Sequence, residues 1–565
     1  MNQTYSDKTG VKELIDICVA KGMERVVISP GSRNAPLSIS FSRDSRVESL
    51  VIVDERSAAF FALGMAQQTG KPVGLVCTSG TALLNYAPAI AEAYYQRIPL
   101  VVISADRPEE WIDQDDSQAI RQENVFANYI KASYQVPVET EHKDDRWYLN
   151  RMVNEAFNKA LSGRMGPVHI NIPLREPLYG LRSYSKHQAR ILEKVTCVPQ
   201  MSEQDIHRFA DRFNSSKGVL VLAGLHPFNE ELNGKLKELS QCGKVVVLTE
   251  NIANLQGDAF IPCIDRIVST ISEAEAKDFQ PDLLISFGGP LISKMVKTFL
   301  RKFSPANHWY LGTGDDHIDT FQNLSAHVDI APVNFFRQLV PLIKNEESVF
   351  GRNWKARNKH SIERHTDYLE SVSWSDLKAF EILLQNIPAG NNLQLSNSSV
   401  VRYAQLFTPT KALWYNSNRG TSGIDGCTST AAGAAWVNER STTLITGDVS
   451  FFYDSNALWN KYLSPNLRII VISNGGGGIF RFIPGPSDVE ELDEFFEAAQ
   501  DLKAEKLATA YDLHYFSAGS PEELKEVLPQ FYAEHENAVI LEVKTPRKVN
   551  DIVLKEYFKH LKPEV

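Results

Sequence analysis

Short apolar runs alternate with stretches of helical periodicity over the first third of this chain. An apolar run bounded by polar or turn residues is typical of a strand that is buried on both faces of a parallel sheet. Alternation of such strands with helices predicts a doubly wound α/β domain. Helical periodicity covers residues 56–68 and 82–96. The strands predicted in this part of the chain are 25–29, 50–53, 73–77, 100–104 and 168–172.

The same alternation recurs twice more, after a polar, proline-containing stretch at 174–200 that we interpret as a linker. A charged segment at 344–367 is expected to be a helical or irregular connection. The second series of predicted strands is 218–223, 244–249, 282–287 and 308–311, and the third is 412–415, 443–445, 467–472 and 538–543. We therefore predict three consecutive doubly wound α/β domains with mainly parallel sheets, at residues 1–180 (N-terminal), 181–355 (central) and 356–565 (C-terminal).

Composition and charge limit the kinds of partner and the compartment that we expect for this chain. The 565 residues carry a formal net charge of −10, which gives no reason to expect nucleic acid or an anionic membrane as a partner. The first ten residues lack the basic and apolar regions of a signal peptide, and no apolar run approaches the roughly 18–20 residues of a membrane span. Scattered cysteines without a CxxC pair favour a reducing compartment, so we expect a cytoplasmic protein without membrane insertion. The cysteines are Cys18, Cys77, Cys197, Cys242, Cys263 and Cys427.

Two polar side chains stand at the ends of predicted strands in the third domain. Asp448 follows the strand at 443–445, and Asn474 comes 26 positions later, after the strand at 467–472. Because open α/β sheets bind ligands at the carboxyl edge of their strands, we expect both side chains at one ligand-binding edge. Together with carbonyls of the run Gly475–Gly478 they form a hard-oxygen set suited to Mg²⁺ carrying a diphosphate. The alternative for the glycine run is a flexible turn.

The string from Gly447 to Asn474 resembles the GD…N signature of thiamine diphosphate enzymes, and three α/β domains in a row resemble the decarboxylase-like members of that family. The resemblance covers essentially the whole chain and implies an enzyme that binds thiamine diphosphate with Mg²⁺ or Mn²⁺. It assigns the metal to the side chains of Asp448 and Asn474 and to the carbonyl of Gly476. The further cofactor-binding residues that it implies are Glu55, Ile424, Ser450, Gly478, Ile479 and Phe480.

Glu55 stands just after the predicted strand at 50–53, at the start of a helix rich in small residues. In thiamine diphosphate enzymes a Glu in this position comes from a neighbouring subunit, and its carboxylate bonds the aminopyrimidine and so activates the cofactor. The resemblance therefore implies that Glu55 is catalytic and that the chain forms a homo-oligomer whose active site is shared between two subunits. The alternative is an acid stabilised at a helix N-terminus by the macrodipole.

Several arginines lie on predicted loops that follow strands or precede helices, where pocket residues of such folds are found. A guanidinium binds a carboxylate through two parallel hydrogen bonds, so a pocket lined with several of them predicts a substrate with more than one negative charge. The alternative is a structural ion pair with one of the abundant acids, which we expect first for Arg121. The arginines are Arg33, Arg107, Arg121, Arg402 and Arg419.

The strings that contain these arginines resemble, in order, the family of 2-succinyl-5-enolpyruvyl-6-hydroxy-3-cyclohexene-1-carboxylate synthases of menaquinone biosynthesis. That family decarboxylates 2-oxoglutarate and adds the succinyl carbanion equivalent to isochorismate in a Stetter-like 1,4-addition, with release of CO₂. Both substrates are dianions, which agrees with the arginine count. The strings are SPGSR at 29–33, ADRP at 105–108, SQAIRQ at 117–122, NSSVVR at 397–402 and SNRGTSGIDG at 417–426.

The substrate-binding residues implied by this resemblance are Ser32, Arg33, Arg107, Gln118, Lys294, Ser398, Arg402 and Arg419. Within the set, Arg402 and Arg419 would hold the succinyl carboxylate, whereas Arg33, Arg107 and Lys294 would face isochorismate. The alternative for Lys294 is a solvated helix lysine.

Gln118 is the second catalytic candidate, since no histidine precedes Glu55 and His142 is the next one along the chain. Proton transfer would then rest on the cofactor's amino group, on Gln118 or on water. Ser117 stands where some members of the family have Asn.

Three other classes of protein are also compatible with the sequence. The nearest is another thiamine diphosphate-dependent 2-oxo acid decarboxylase or carboligase. Acetohydroxyacid synthase-like members of that class commonly bind FAD in the central domain, whereas residues 218–228 contain no GxGxxG. A nucleotide- or NAD-binding regulatory module would leave Glu55, Asp448 and Asn474 unexplained. A catalytically inactive member with a scaffold role is the third alternative.

Overall fold

The computed structural model describes residues 4–184, 189–314, 317–409, 414–482 and 485–563. These residues fold into three α/β domains in chain order, each built on a sheet of parallel strands. The apolar residues of each strand alternate between two faces, and each face is covered by helices. The prediction of three doubly wound domains is confirmed.

The first domain carries its sheet in the strand order β3-β2-β4-β5-β7-β6, and a small antiparallel pair, β1 with β8, lies beside it. Its elements are β1 (Thr4–Ser6), α1 (Thr9–Ala20), β2 (Arg25–Ile28), α2 (Ala35–Arg43), β3 (Glu48–Val51), α3 (Glu55–Thr69), β4 (Val73–Cys77), α4 (Thr81–Asn85), α5 (Ala87–Gln96), β5 (Leu100–Asp106), β6 (Ser133–Gln135), α6 (Lys143–Ala160), β7 (Val168–Pro173) and β8 (Leu181–Ser183).

The central domain has the strand order β10-β9-β11-β12-β13. Its elements are α7 (Glu203–Ser215), β9 (Val219–Ala223), α8 (Glu230–Leu239), β10 (Val245–Thr249), α9 (Ile264–Val268), β11 (Leu283–Phe287), α10 (Lys294–Lys302), β12 (Asn307–Leu311), β13 (Ala326–Val328) and α11 (Pro332–Leu339).

A long helix, α12 (Val349–Ser371), leads into the third domain, whose strand order is β15-β14-β16-β17-β19-β18. The elements of that domain are α13 (Asp376–Asn386), β14 (Asn392–Leu395), α14 (Ser399–Ala404), β15 (Trp414–Ser417), α15 (Cys427–Val437), β16 (Thr442–Gly447), α16 (Asp448–Tyr453), β17 (Leu467–Ser473), α17 (Ala504–Ala510), β18 (His514–Ala518), α18 (Pro521–Phe531), β19 (Val539–Lys544) and α19 (Asn550–His560).

Helices α3 and α15 join the first and third domains into one continuous core. Each helix places a glycine against the backbone of the other. A Cβ at Gly64 would lie 2.0 Å from the carbonyl oxygen of Thr430, and a Cβ at Gly433 would lie 1.9 Å from that of Phe61. Glycine at these two positions is therefore what lets the helix that begins at Glu55 pack directly on the third domain.

The structure differs from the sequence predictions in several details: β1, β6, β8, β13 and β18 were not predicted, and β3 begins two residues before the predicted strand at 50–53. The helical stretch predicted at 82–96 is two helices, α4 and α5, because Pro88 has no N–H to continue the first one. Strand β14 was not predicted, because the buried Asn392 and Gln394 interrupt its apolar pattern. Of the strand predicted at 412–415, residues 412 and 413 lie outside the described residues.

The segment at 344–367, expected to be helical or irregular, lies largely within the helix α12. The predicted boundary between residues 355 and 356 falls inside that helix. Trp354 packs in the central core, whereas Leu369 packs in the core of the third domain. Helix α12 thus belongs to both domains, and the exact boundaries stay predictions.

Candidate active site

Asp448 and Asn474 lie at the same carboxyl edge of the third sheet. Asp448 opens α16 directly after β16, and Asn474 follows β17, which pairs with β16 in parallel. The Asp448 carboxylate accepts backbone hydrogen bonds on both oxygens. Oδ1 accepts from Val449 N at 2.7 Å, and Oδ2 accepts from Gly475 N and Gly476 N at 2.9 and 3.1 Å. These bonds fix the carboxylate against the glycine run.

The hydrogen bonds at Asp448 and Gly476 leave oxygen lone pairs to which a cation can bind. An ionised carboxylate has about four lone-pair directions, so three N–H donors leave one for a metal at Asp448. The carbonyl of Gly476 accepts one bond, from Gly478 N at 2.9 Å, and keeps a second lone pair. Among the described residues, no cluster of three or more His, Cys, Asp or Glu side chains is suited to a metal. The set that fits here is therefore one carboxylate, one amide oxygen and one carbonyl, which suits Mg²⁺ or Mn²⁺.

The orientation of the Asn474 amide is set by Asp376, a residue that the sequence did not single out. Asn474 Nδ2 donates to Asp376 Oδ2 at 3.0 Å, so the amide oxygen is the atom left for a cation. Thr545 Oγ1 donates to the other oxygen of Asp376 at 2.6 Å, and Asn550 accepts the Asp376 backbone N–H at 2.8 Å. Asp376 opens α13 like an ordinary acid in a first helical turn, which is why no sequence signal marks it.

Burial raises the pKa of Asp376 to about 6 and that of Asp448 to about 6. The neighbouring Asp376 charge adds to the rise at Asp448. Within the described residues, neither carboxylate forms an ion pair with a lysine or arginine. Two buried carboxylates without a cationic partner form a site that a divalent cation would stabilise.

A cavity of about 400 Å³ joins this edge to the arginines of the third domain. Ser450 Oγ donates to the carbonyl of Ile424 at 2.9 Å and so ties α16 to the 417–426 loop at the cavity wall. Gly478 does not line the cavity but lies against Asn474. The predicted residues that line it are Ser398, Arg402, Arg419, Ile424, Asp448, Ser450, Asn474, Gly476, Ile479 and Phe480.

The two arginines that line the cavity, Arg402 and Arg419, have guanidinium groups to which an anion can bind. Arg402 Nη1 donates to the carbonyl of Ser398, and Arg419 Nη1 donates to Asn397 Oδ1 at 3.0 Å. The Nε of Arg419 is buried, with no hydrogen-bond partner in the described part of the chain. Burial lowers the pKa of both guanidinium groups, and the charge of Arg419 lowers that of Arg402 further. A carboxylate ligand would relieve that repulsion and use the free N–H.

Two carboxyl groups of the central domain, one buried and one half-buried, lie near these arginines, and neither was predicted. Glu250 accepts backbone N–H groups at the start of α10 and interacts electrostatically with Arg419. Asp265 accepts the hydroxyl of Ser293 and interacts electrostatically with Arg402. Burial is the main cause that raises the pKa of both, to about 7 for Glu250. The central domain thus places two carboxyl groups beside the arginines.

Lys294 is the first residue of α10 and is exposed. It lines a smaller cavity of about 160 Å³, whose wall also includes Arg402 and Ile479. Because these two residues line the larger cavity as well, the structure brings Lys294 to the predicted substrate site from the central domain.

The first-domain candidates lie at the carboxyl edge of their own sheet. Ser32 and Arg33 follow β2, and Arg107 follows β5. Arg107 Nε and Nη2 donate to the carbonyl of Ser117 at 3.0 and 2.6 Å, which places Arg107 beside the segment of Gln118. Ser32 and Gln118 are exposed, and Gln118 has a φ of 56°. Arg33 and Arg107 both interact electrostatically with Asp106, so the structure groups these two arginines, with the adjacent Ser32 and Gln118, into a second cluster.

Glu55 is the first residue of α3, and its neighbour Asp54 caps that helix by accepting from Ser57 N at 3.0 Å. Burial raises the pKa of Glu55, and the charge of Asp54 adds to the rise. No described residue of the first domain lines the cavity that contains Asp448. One copy of the chain thus carries the predicted site in two parts, one in the first domain and one in the third.

Two remaining features lie outside the site. Arg121 forms an exposed ion pair with Asp113 at 2.6 Å, as expected for that arginine. A larger cavity, of about 620 Å³, lies between the first and central domains, and its wall includes Arg97, Arg164 and Lys297 but none of the predicted site residues.

Family models match all three domains. Residues 8–125 match the thiamine pyrophosphate enzyme N-terminal TPP binding domain, residues 179–392 match the middle domain of thiamine pyrophosphate enzymes, and residues 396–543 match the C-terminal TPP binding domain. The fold and the site thus define a thiamine diphosphate enzyme.

Curated proteins named 2-succinyl-5-enolpyruvyl-6-hydroxy-3-cyclohexene-1-carboxylate synthase are similar over nearly the full chain. The protein from Porphyromonas gingivalis is 44% identical over 100% of this chain and 99% of its own length. Those from Flavobacterium johnsoniae and Bacteroides thetaiotaomicron are 43% and 36% identical, over 97% and 99% of this chain and 98% and 100% of their own lengths. The chain belongs to this synthase family, which confirms the resemblance stated from the sequence.

Among the helices that the structure describes, none combines the length and the apolar character needed to cross a membrane.

Proposed function

We propose that the chain is a thiamine diphosphate- and Mg²⁺-dependent synthase of menaquinone biosynthesis. It decarboxylates 2-oxoglutarate and adds the succinyl unit to isochorismate by 1,4-addition, giving 2-succinyl-5-enolpyruvyl-6-hydroxy-3-cyclohexene-1-carboxylate and CO₂. The observation that carries the proposal is a single cavity lined both by the hard-oxygen set of Asp448, Asn474 and Gly476 and by the buried arginines Arg402 and Arg419. Such a cavity accommodates a metal-bound diphosphate beside a substrate carboxylate.

The cofactor would be held by residues that already converge on this cavity. Asp448, the Asn474 oxygen and the Gly476 carbonyl would bind Mg²⁺ or Mn²⁺, and Ile424, Ile479 and Phe480 would supply apolar wall. When bound, the cofactor would supply a thiazolium ring as the electron sink for the pair released when a 2-oxo acid loses CO₂. Ser450 and Gly478 act beside these groups, Ser450 through its bond to Ile424 and Gly478 through its contact with Asn474.

The substrates divide between the two clusters. Arg402 and Arg419, with Ser398, bind the distal carboxylate of 2-oxoglutarate, because the buried Nε of Arg419 has no protein partner among the described residues. Arg33, Arg107, Ser32 and Gln118 bind isochorismate from the first domain. Lys294 binds it from the central domain, next to Arg402.

Glu55 and the first-domain cluster reach the cavity of a second copy of the chain. This arrangement is supported by the cavity itself, whose described wall includes no residue of the first domain. We therefore propose a homo-oligomer in which each active site combines the first domain of one subunit with the third domain of its partner. All six cysteines are unpaired, which supports the cytoplasm as the compartment.

The test is turnover with Mg²⁺, thiamine diphosphate and 2-oxoglutarate, with and without isochorismate. Loss of the isochorismate absorbance that requires both 2-oxoglutarate and the cofactor, with a product of the expected mass, would establish the proposal. Release of CO₂ from 2-oxoglutarate or pyruvate without isochorismate consumption would instead assign the chain to another thiamine diphosphate-dependent decarboxylase or carboligase.

A further inference from the structure

Gln122 is a buried glutamine whose amide joins several elements of the first domain. It is 1% exposed. Its Oε1 accepts the backbone N–H of Gly80 at 2.9 Å, at the start of α4. Its Nε2 donates to the carbonyl of Ala105 at 3.1 Å on β5 and to Asn171 Oδ1 at 2.8 Å on β7. The side chain therefore spans the carboxyl edge of the first sheet without reaching solvent.

Gly80 in turn supports Gln118. A Cβ at Gly80 would lie 3.3 Å from the Cα of Gln118, so the backbone of Gln118 lies close over Gly80. Gly80 has a φ of 87° and Gln118 a φ of 56°, a left-handed conformation that a residue other than glycine keeps only when its surroundings hold it there. The bond from Gly80 N to Gln122 fixes the surface on which Gln118 rests.

The same network reaches Arg107 by a second branch. Asn171 Nδ2 donates to Asp106 Oδ2 at 2.7 Å, and Asp106 Oδ1 accepts the backbone N–H of Arg107 at 2.8 Å. The guanidinium of Arg107 then holds the carbonyl of Ser117, next to Gln118. Gln118 is thus fixed both through Gly80 and through Arg107, and Gln122 is the side chain from which both branches start.

We propose that Gln122 is a positioning residue for isochorismate, which acts by holding Gln118 and, through Asn171, Arg107 in their binding geometry. This inference rests on the proposed function, because it takes the first-domain cluster to be the isochorismate side of the site. Gln122 itself is buried and touches no substrate.

The chemistry of the amide explains why a glutamine is needed there. Gln122 has to accept from Gly80 with one atom and donate to two oxygens, Ala105 O and Asn171 Oδ1, with the other. A glutamate would place an acceptor-only carboxylate against those two oxygens, and an apolar side chain would leave all three groups unsatisfied.

The experiment compares Gln122→Met, which keeps the side chain's size and removes its hydrogen bonds, with Asn154→Leu as a control. Asn154 is a buried amide on α6 that likewise accepts one backbone N–H, from Leu192, and donates to two carbonyls, those of Asn150 and Arg190. None of these bonds involves a residue of the Gln122 network. We expect Gln122→Met to raise the KM for isochorismate by about tenfold or more. The KM for 2-oxoglutarate and the Kd for thiamine diphosphate should stay within about twofold, and Asn154→Leu should leave all three within that range.

A double variant distinguishes positioning from a general structural role. If Gln122 acts through Gln118, adding Gln122→Met to Gln118→Ala should raise the isochorismate KM little beyond the effect of Gln118→Ala alone. A double variant whose isochorismate KM rises by the product of the two single increases would overturn the proposal. An unchanged isochorismate KM in Gln122→Met would also overturn it.

A hydrogen-exchange measurement and a second variant make the outcome decisive. Amide hydrogen exchange at Gly80 and Arg107 should accelerate about tenfold in Gln122→Met and not in Asn154→Leu, whatever the substrate is, because Gly80 N–H bonds Gln122 and Arg107 N–H bonds Asp106 in the second branch. Unchanged exchange would overturn the proposal, whereas faster exchange in an enzyme whose wild type ignores isochorismate would locate the failure in the proposed function. If Gln122→Met does not fold, Gln122→Glu replaces it, since it keeps the acceptor for Gly80 N, removes the donor to Ala105 and Asn171, and should raise the same KM.

Discussion

The side-chain N–H of Asn474 donates to Asp376 Oδ2 at 3.0 Å, on the floor of the cavity that the two residues share with Asp448. An asparagine amide presents either its nitrogen or its oxygen to a neighbour. Donation to a carboxylate settles that choice, because only the nitrogen end can donate. Asp376 therefore makes Asn474 an oxygen ligand before any cation arrives.

Replacement of Asp376 by alanine should free that amide. We expect the affinity for Mg²⁺ in the presence of thiamine diphosphate to fall by roughly 10–100-fold, the usual effect of losing a group that orients a metal ligand. Isothermal titration with Mg²⁺ measures it. Thr545→Val is the matched control, since Thr545 bonds the other oxygen of Asp376 and forms no hydrogen bond with Asn474 among those of the described residues. Equal affinities in the Asp376→Ala variant and the parent protein would show that the amide is oriented by something else.

Glu55→Gln should separate catalysis from binding. Removal of the carboxylate should lower kcat by about 10²–10⁴-fold, the usual range for an acid–base group. The Kd for thiamine diphosphate should change little, because the metal set is intact, whereas Asp448→Ala should weaken Mg²⁺ and the cofactor together. Cofactor titrations beside steady-state kinetics check both statements. Comparable loss of cofactor binding in the two variants would mean that the roles are wrongly divided.

Arg402→Ala should raise the KM for 2-oxoglutarate by roughly 10–100-fold, which corresponds to about 1.5–3 kcal/mol for hydrogen bonds to a charged group. Cofactor affinity should be nearly unchanged. Arg121→Ala is the control, because Arg121 forms only an exposed ion pair with Asp113 among the contacts described. A KM that moves as much in the control as in Arg402→Ala would remove Arg402 from the substrate site.

Glu250 makes stability depend on pH. Its pKa is raised from 4.5 to about 7, mainly by burial, with Asp265 raising it further and Arg419 opposing the rise. A carboxyl with a raised folded pKa holds its proton in the folded state and loses it in the unfolded state, so its contribution to stability falls as pH rises from 4.5 to about 7.

Glutamine does not titrate, so the stability of Glu250→Gln relative to the parent should increase across that window. The total gain should be about 3 kcal/mol, from about 1.4 kcal/mol per pKa unit. Thermal unfolding at several pH values measures it. A difference in Tm that stays flat between pH 4.5 and 7 would contradict the account.

The parts of the molecule that could be predicted from the sequence are those with a local signal. Apolar runs located the three sheets, and Asp448 and Asn474 were found because a strand end fixes where the next side chain lies. Asp376, Glu250 and Asp265 were missed, because nothing next to them in the chain indicates that other elements place them beside the site. Gln122 stood inside a string already singled out, but its role depends on contacts with β5 and β7 that are made only on folding.

The most direct test of the shared active site is the activity of a hybrid that combines one Glu55→Gln subunit with one Asp448→Ala subunit. Differently tagged chains, co-expressed and purified through both tags, would provide it. If each site joins Glu55 of one subunit to Asp448 of its partner, the hybrid contains one site with both changes and one intact site. It should then show about half of the wild-type activity, whereas each homo-oligomeric variant is nearly inactive. A hybrid as inactive as the two variants would place Glu55 and Asp448 of the same chain in one site and contradict the account.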